Sequence, residues 1–138
     1  MEGKGFKIVT EGFMAMQIEY TEQTSLISGV PDFKAYINNY PVYFEVTGTI
    51  SNKVKETSEI WVRPDKINYV FNNNIRGFIV YIVDNLNYLM RFIDVNKLNL
   101  DELEIVTPNI WGTEERFYSI PPDVCIAEEE IVNYLKGV

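Results

Sequence analysis

The most informative part of the sequence is residues 31–47, PDFKAYINNYPVYFEVT. Two runs rich in aromatic and aliphatic residues flank Asn38-Asn39, and asparagine tolerates the positive φ angles of a tight hairpin turn. The pattern predicts two antiparallel strands whose paired positions sum to 77, so that Asp32 lies opposite Glu45 with Cβ atoms about 4.5–5.5 Å apart. A four-residue turn would leave the two carboxylates diagonal on one face, and a three-residue turn with a bulge would separate them.

Two carboxylates placed opposite each other on a sheet require compensation, because like charges directly opposed destabilise it. A divalent cation is the simplest candidate, since Mg²⁺ or Mn²⁺ binds one or two carboxylates together with water and phosphate oxygens. Two other arrangements would also serve. Both side chains can point to solvent, or Lys34 or another nearby basic side chain can neutralise them.

The sequence before this hairpin predicts a helix followed by a strand. Apolar residues recur with helical spacing over residues 4–16. Gly12 weakens a helix, and the alternation that follows also allows a hairpin turning at Glu11-Gly12. A strand is expected from Gln17 to Thr24 in either case.

The sequence after the hairpin completes a small α/β domain. Pro64 suits the first turn of a helix, and GFIVYIVD at residues 77–84 is typical of a central strand covered on both faces. The other expectations are a loop over 51–63, a turn at 85–87, a strand over 88–95, irregular structure with short elements over 96–120 and a closing helix over 127–136. We therefore predict one domain over residues 1–138, a small mixed β-sheet flanked by helices.

Composition excludes several classes of chemistry. The chain has 138 residues, no histidine and one cysteine, Cys125. Histidine bases, Ser-His-Asp triads, His-ligated zinc and internal disulfides are therefore excluded. A single cysteine favours a cytoplasmic setting. No apolar run approaches the roughly 20 residues that a membrane-spanning helix needs, so no membrane partner is expected.

The charge is unevenly distributed. The net charge of −8 argues against a generally basic nucleic-acid coat protein. Residues 51–76, however, carry five basic and three acidic residues, whereas residues 92–138 carry ten acidic and three basic residues. The basic segment follows the hairpin and is the part of the chain suited to face a polyanion.

The hairpin motif resembles that of a known family. Pro31-Asp32, then twelve residues, then Glu45-Val46-Thr47 is similar to the motif of the PD-(D/E)XK nuclease superfamily, which has the restriction-endonuclease-like fold. The order of helix, three-stranded meander, helix and strand over residues 4–95 also resembles that family. The resemblance implies an αβββαβ core, to which the C-terminal helix is an addition.

The resemblance implies a set of metal ligands. Asp32 and Glu45 would ligate Mg²⁺ or Mn²⁺, with the backbone carbonyl of Val46 completing the set. Members of the family often carry a further acid on the first helix, and Glu11 is the candidate here, with Glu19 as the second choice.

The chain departs from the family at the catalytic lysine. The family expects a lysine two residues after the glutamate, and this position is Thr47, which carries no charge. In some members a basic group from the following helix replaces it, which makes Lys66 the candidate catalytic residue. Lys53 and Lys55 in the preceding loop are the alternatives.

The function that follows from the resemblance is a Mg²⁺-dependent DNA endonuclease that hydrolyses phosphodiester bonds. By analogy with the family it would act as a homodimer that cuts both strands. The alternative is a catalytically inactive nuclease-like domain that binds nucleic acid or a protein. Thr47 and the net charge of −8 favour that alternative.

Overall fold

A computed structural model describes residues 2–23, 30–49, 51, 54–55, 58–84 and 89–137. It is a mixed α/β fold in which helices flank a mixed sheet, as the sequence predicts. In chain order the elements are α1 (Glu2–Ala15), β1 (Glu19–Glu22), β2 (Phe33–Ile37), β3 (Tyr40–Thr49), β4 (Ile60–Val62), α2 (Pro64–Asn72), β5 (Gly77–Val83), β6 (Leu89–Asp94), β7 (Glu104–Val106), β8 (Asn109–Ile110), β9 (Thr113–Glu114), β10 (Phe117–Ile120), β11 (Ile126–Ala127) and α3 (Ile131–Lys136).

The main sheet has six strands in the order β1-β2-β3-β5-β6-β11. Strands β3 and β5 run parallel, and every other neighbouring pair in this sheet is antiparallel. All seven residues of β5 are buried, which confirms the central strand expected from its continuous apolar run.

The predicted hairpin is present with the predicted register. Asn38 and Asn39 have φ angles of 53° and 68°, so they form the two-residue turn. Ile37 pairs with Tyr40 and Phe33 pairs with Phe44, so paired positions sum to 77. Asp32 directly precedes β2 and therefore lies at the position opposite Glu45.

The two faces of the sheet are covered to different extents. On one face α1 and α3 pack over residues of β2, β3, β5 and β6. Gly5 allows α1 to approach closely, since a Cβ there would lie 2.7 Å from the side chain of Val46. On the other face α2 and a small sheet of order β4-β10-β7 cover β5 and β6. In the described part of the chain this second apolar cluster includes no residue of β1, β2 or β3.

The helices agree with the sequence in part. The hairpin at Glu11-Gly12 does not form, because α1 runs from Glu2 to Ala15. Helix α2 begins at Pro64, as predicted. The closing helix is shorter than expected and begins at Ile131, after a 3₁₀ turn over Glu128–Glu130. Helices long and apolar enough to cross a bilayer are missing from the described ranges.

The predictions about loops and short strands are confirmed in part. The segment 51–63 is not all loop, because Ile60–Val62 forms β4, whereas the short elements expected over residues 96–120 are present and include four short strands. These strands have two to four residues, too few to show a periodicity, and β4 pairs with β10 far along the chain. Strand β1 covers Glu19–Glu22, while Thr24 and the expected turn at 85–87 lie outside the described residues.

Candidate active site

The carboxylate of Asp32 is held at the point where β2 begins. The backbone N–H of Val46 donates a hydrogen bond of 2.8 Å to Asp32 Oδ2. The carbonyl of Asp32 accepts a hydrogen bond of 2.7 Å from the backbone N–H of Gln23, which extends the β1–β2 pairing by one residue. These contacts, which sequence reasoning missed, fix Asp32 beside β3. An Asp one residue before a strand, opposite an acid on the partner strand, is the only signal for them.

Glu45 is the buried member of the pair, with 7% of its surface exposed. Its Oε1 accepts a hydrogen bond of 2.6 Å from Lys66 Nζ. Its Oε2 is buried and has no hydrogen-bond partner among the described residues. Two ionised carboxylates cannot donate to each other, so Asp32 can satisfy Oε2 only through a shared proton or a cation. The pair therefore has one buried oxygen that needs a positive partner.

Burial and the two neighbouring charged residues shift the pKa of Glu45 in different directions. The pKa of Glu45 is raised to about 7: burial is the largest cause, Lys66 opposes it, and the nearby Asp32 carboxylate adds to the rise. Without added cations a substantial fraction of Glu45 is protonated at neutral pH. A pKa this far above the usual value is common where carboxylates perform chemistry, although buried ion pairs also show it.

Lys66 reaches the pair because of how α2 begins. Pro64 occupies the first position of α2, where its missing N–H costs no hydrogen bond, and Asp65 lies at the positive end of the helix dipole. Lys66 follows in the same turn, and 17% of its side chain is exposed. Of the three lysines considered from the sequence, the structure brings Lys66 to Glu45. Lys55 is exposed, and Lys53 lies outside the described residues.

The structure does not bring Glu11 to the carboxylate pair. Glu11 is exposed on α1, which covers the opposite face of the sheet. Glu19 lies at the far end of β1, paired with Tyr36. Across the residues that the structure describes, no group of three acidic, histidine or cysteine residues is arranged to hold a metal ion. The described acids at this site are therefore Asp32 and Glu45.

Two neighbours on β3 complete the surroundings of the pair. The N–H and C=O of a strand residue point to the same side, so the carbonyl of Val46 faces the edge from which its N–H reaches Asp32. Strand β2 begins at Phe33, opposite Phe44, and so does not pair with β3 at Val46. Thr47 lies on the same face as Glu45 and carries no charge.

These oxygens fit a hard divalent cation. Two carboxylates and one backbone carbonyl are ligands that Mg²⁺ and Mn²⁺ accept, with water filling the remaining positions. The buried Oε2 of Glu45 is the specific observation, because a cation between the two carboxylates would satisfy it. The residues present therefore fit the metal that the sequence led us to expect.

Comparison with known proteins gives matches among solved structures only. No protein-family model matches the sequence, and the search of curated proteins gives no match. The structure of Hjc, a Holliday junction resolvase from Archaeoglobus fulgidus, an archaeal hyperthermophile, is similar with a TM-score of 0.57 and 12% identity, covering 94% of this chain and 98% of that chain. The structure of D212, a nuclease from a fusselovirus, has a TM-score of 0.60 and 15% identity, covering 98% of this chain and 90% of that chain. At these identities the likeness concerns the fold.

Proposed function

From the premise that this chain has the restriction-endonuclease-like fold of the PD-(D/E)XK superfamily, we propose that it is a divalent-metal-dependent DNA nuclease. Residues 1–138 would form one nuclease-like domain that hydrolyses phosphodiester bonds. The reaction would take place at Asp32, Glu45 and Lys66, with Mg²⁺ or Mn²⁺ as cofactor. DNA is the proposed substrate because the solved structures that resemble the chain include a Holliday junction resolvase.

The observation that carries this proposal is the contact between Lys66 and Glu45. Lys66 Nζ lies 2.6 Å from Glu45 Oε1, so a cationic group stands beside the carboxylates although position 47 is threonine. In a metal-dependent nuclease such a lysine stabilises negative charge that develops on the phosphate. The departure at Thr47 therefore does not by itself argue against activity.

The chain's own residues have separate tasks in the proposed reaction. Asp32, Glu45 and the carbonyl of Val46 would hold the cation, which when bound supplies Lewis-acid chemistry and a more acidic water. Lys66 would turn its ammonium toward the phosphate once the cation compensates the charge of Glu45. The hydrogen bond from Val46 N–H would keep Asp32 oriented throughout.

A second function rests on the same ion pair. If Lys66 serves only to neutralise Glu45, the two residues form a buried salt bridge, and the domain binds nucleic acid or a protein without cutting. The absence of charge at Thr47 and the net charge of −8 support this alternative.

The test is cleavage of plasmid and linear DNA with Mg²⁺, with Mn²⁺ and with EDTA. We expect cleavage only with the metals, and losses of at least about a hundredfold in Asp32→Asn and Glu45→Gln. Glu104→Gln on β7 is the matched control, since Glu104 is exposed and distant in sequence, and it should cut at the wild-type rate. Equal cleavage by all variants would contradict the proposal. Calorimetric Mg²⁺ binding without cleavage would favour the second function.

We also propose a homodimer that acts in the cytoplasm. The dimer is an analogy with the family, whose members pair two sites to cut two strands, and the cytoplasmic setting follows from the single cysteine. Light scattering at several protein concentrations would measure the oligomeric state, with a mass near 32 kDa, twice the 16.0 kDa of the chain, expected for the dimer.

A further inference from the structure

Among the described residues, the part of the main sheet next to the carboxylate pair has no apolar cover on the face that carries Glu45. The second apolar cluster covers β5 and β6, and its described members include none from β1, β2 or β3. Beyond the buried Glu45, the side chains of Thr21, Lys34, Tyr36 and Tyr43 on this face are polar and partly or largely exposed. We refer to Thr21, Lys34, Tyr36 and Tyr43 as the open sheet face.

Lys34 is positioned on the open sheet face by two tyrosines. It pairs directly with Tyr43 across the hairpin. Its Nζ lies 5.5 Å from the centre of the Tyr36 ring and 5.7 Å from that of Tyr43. A lysine ammonium is cationic at neutral pH. An ammonium has three donors, so a donor remains for a ligand even when both hydroxyls accept one.

The position of Lys34 relates it to the carboxylates. Side chains on one face of a strand repeat every two residues, about 6.6 Å apart. Lys34 follows Asp32 by two residues, and Tyr43 precedes Glu45 by two residues, so the lysine stands one such step from the pair. Lys66 approaches Glu45 from α2. Two cations therefore border the acidic pair. The step of about 6.6 Å from Lys34 to Asp32 along the strand is comparable to the distance between successive phosphates of an extended nucleic-acid strand.

We propose that Lys34, held by Tyr36 and Tyr43, binds a backbone phosphate of the substrate next to the phosphate that is cut, and that the open sheet face carries that strand. This inference rests on the proposed function and adds the path of the substrate. The binding is sequence-independent, because a phosphate contact contains no base information. Exposed Glu19, opposite Tyr36, marks the far limit of this path, since its charge would repel a further phosphate.

The test measures binding of a fluorescein-labelled DNA oligonucleotide by anisotropy in EDTA, where metal-dependent cleavage cannot proceed. Lys34→Ala should weaken binding about tenfold, as expected for loss of one charged hydrogen bond. It should also reduce the slope of log affinity against log salt by about 0.7–0.9, the value for one phosphate. Lys34→Arg should stay within about threefold of wild type, because the charge is retained.

Two matched variants complete the experiment. Lys7→Ala removes the same charge from the exposed side of α1, which covers the other face of the sheet, and should change the affinity less than about twofold. Tyr36→Leu combined with Tyr43→Leu leaves Lys34 charged but no longer positioned, and should still weaken binding severalfold. Equal effects of Lys34→Ala and Lys7→Ala, or unchanged binding by the double tyrosine variant, would overturn the inference.

The outcome separates this inference from the proposed function. If the wild-type protein cleaves DNA and Lys34→Ala binds DNA as tightly as wild type, the proposed nuclease function stands and the proposed substrate path is wrong. Failure of the wild-type protein both to cut and to bind DNA would remove both proposals.

Discussion

Among single residues, Glu45 is the one whose surroundings are hardest to explain by folding alone. It is buried on β3. One carboxylate oxygen accepts a hydrogen bond from Lys66, and the other has no hydrogen-bond partner in the described part of the chain. Such an arrangement is costly in a protein that only needs to fold, because replacing a buried ion pair with apolar residues is often neutral or stabilising. A functional site would explain its presence at the motif position.

Glu45 gives a pH-dependent contribution to stability. Its folded pKa of about 7 lies above the usual value of 4.5, so the folded state binds the proton more tightly than the unfolded state. The contribution is therefore full below pH 4.5 and lost as the pH rises through 7, amounting to about 3 kcal/mol. Urea unfolding in EDTA at pH 5 and pH 8 should show this loss in wild type and not in Glu45→Gln. Parallel profiles for the two proteins would show that Glu45 is not perturbed.

Removing Lys66 should destabilise the protein, because it leaves the buried Glu45 carboxylate without its cationic partner. Lys66→Met is expected to lower the free energy of unfolding by about 2 kcal/mol at pH 8, and by less at pH 5, where Glu45 takes up a proton. The double variant Lys66→Met with Glu45→Gln should recover part of that loss, because it has no uncompensated charge. A double-mutant cycle from urea unfolding measures the coupling, and additive effects would contradict a buried ion pair.

At the scale of elements, the hairpin was readable from the sequence while the small sheet was not. Asn38-Asn39 specified a two-residue turn, and the turn fixed the register that places Asp32 opposite Glu45. Lys66 was one of three lysines that the sequence offered, and only the entry of α2 at Pro64 directs it to Glu45. Strand β4 has three residues and finds its partner β10 some 55 positions later, which no local pattern encodes. Trp111 is 99% exposed at the turn between β8 and β9, although tryptophan is on average a highly buried residue.

Helix α1 provides a matched pair of glycine substitutions. A Cβ at Gly12 would meet no atom within 4 Å, so Gly12→Ala should stabilise the protein by about 0.5–1 kcal/mol through helix propensity. A Cβ at Gly5 would lie 2.7 Å from Val46 and 2.8 Å from Ile82, so Gly5→Ala should instead be destabilising, by about 1–3 kcal/mol. Thermal unfolding compares them. Equal stabilisation by both would mean that α1 does not pack closely over β3.

In the whole molecule, the layers on the two faces of the main sheet have different roles. The layer of α1 and α3 provides a continuous apolar core on one side of the sheet. On the other side, the cover from α2 and the small sheet ends at β3, where Glu45 lies at the boundary between core and open sheet face. Most of the acidic excess lies after residue 91, a smaller part lies in residues 1–50, and residues 51–76 carry a basic excess, so the net charge of −8 is compatible with a nucleic-acid surface around α2.

Cys125 reports on the integrity of the second layer. Burial raises the pKa of the Cys125 thiol to about 11. The residue packs against the second apolar cluster, which lies between the main sheet and the layer of α2 and β4. At pH 8 the thiolate is therefore scarcer than in an ordinary cysteine by about two orders of magnitude. A chromogenic disulfide reagent should react with the native protein at least about a hundredfold more slowly than with the urea-unfolded protein. Similar rates in both states would show that this layer is loosely packed.

Moving the cationic group from position 66 to position 47 tests whether Lys66 acts in DNA cleavage. If Lys66 supplies the charge that Thr47 lacks, Lys66→Met should reduce metal-dependent DNA cleavage by about 10²–10³-fold, and Thr47→Lys added to that variant should restore at least about tenfold. Lys97→Met, which removes an exposed lysine after β6, is the control for charge, and thermal melting confirms that each variant is folded at the assay temperature. We expect loss of cleavage at position 66 and recovery through position 47, whereas wild-type cleavage rates in Lys66→Met would show that Lys66 has no part in the reaction.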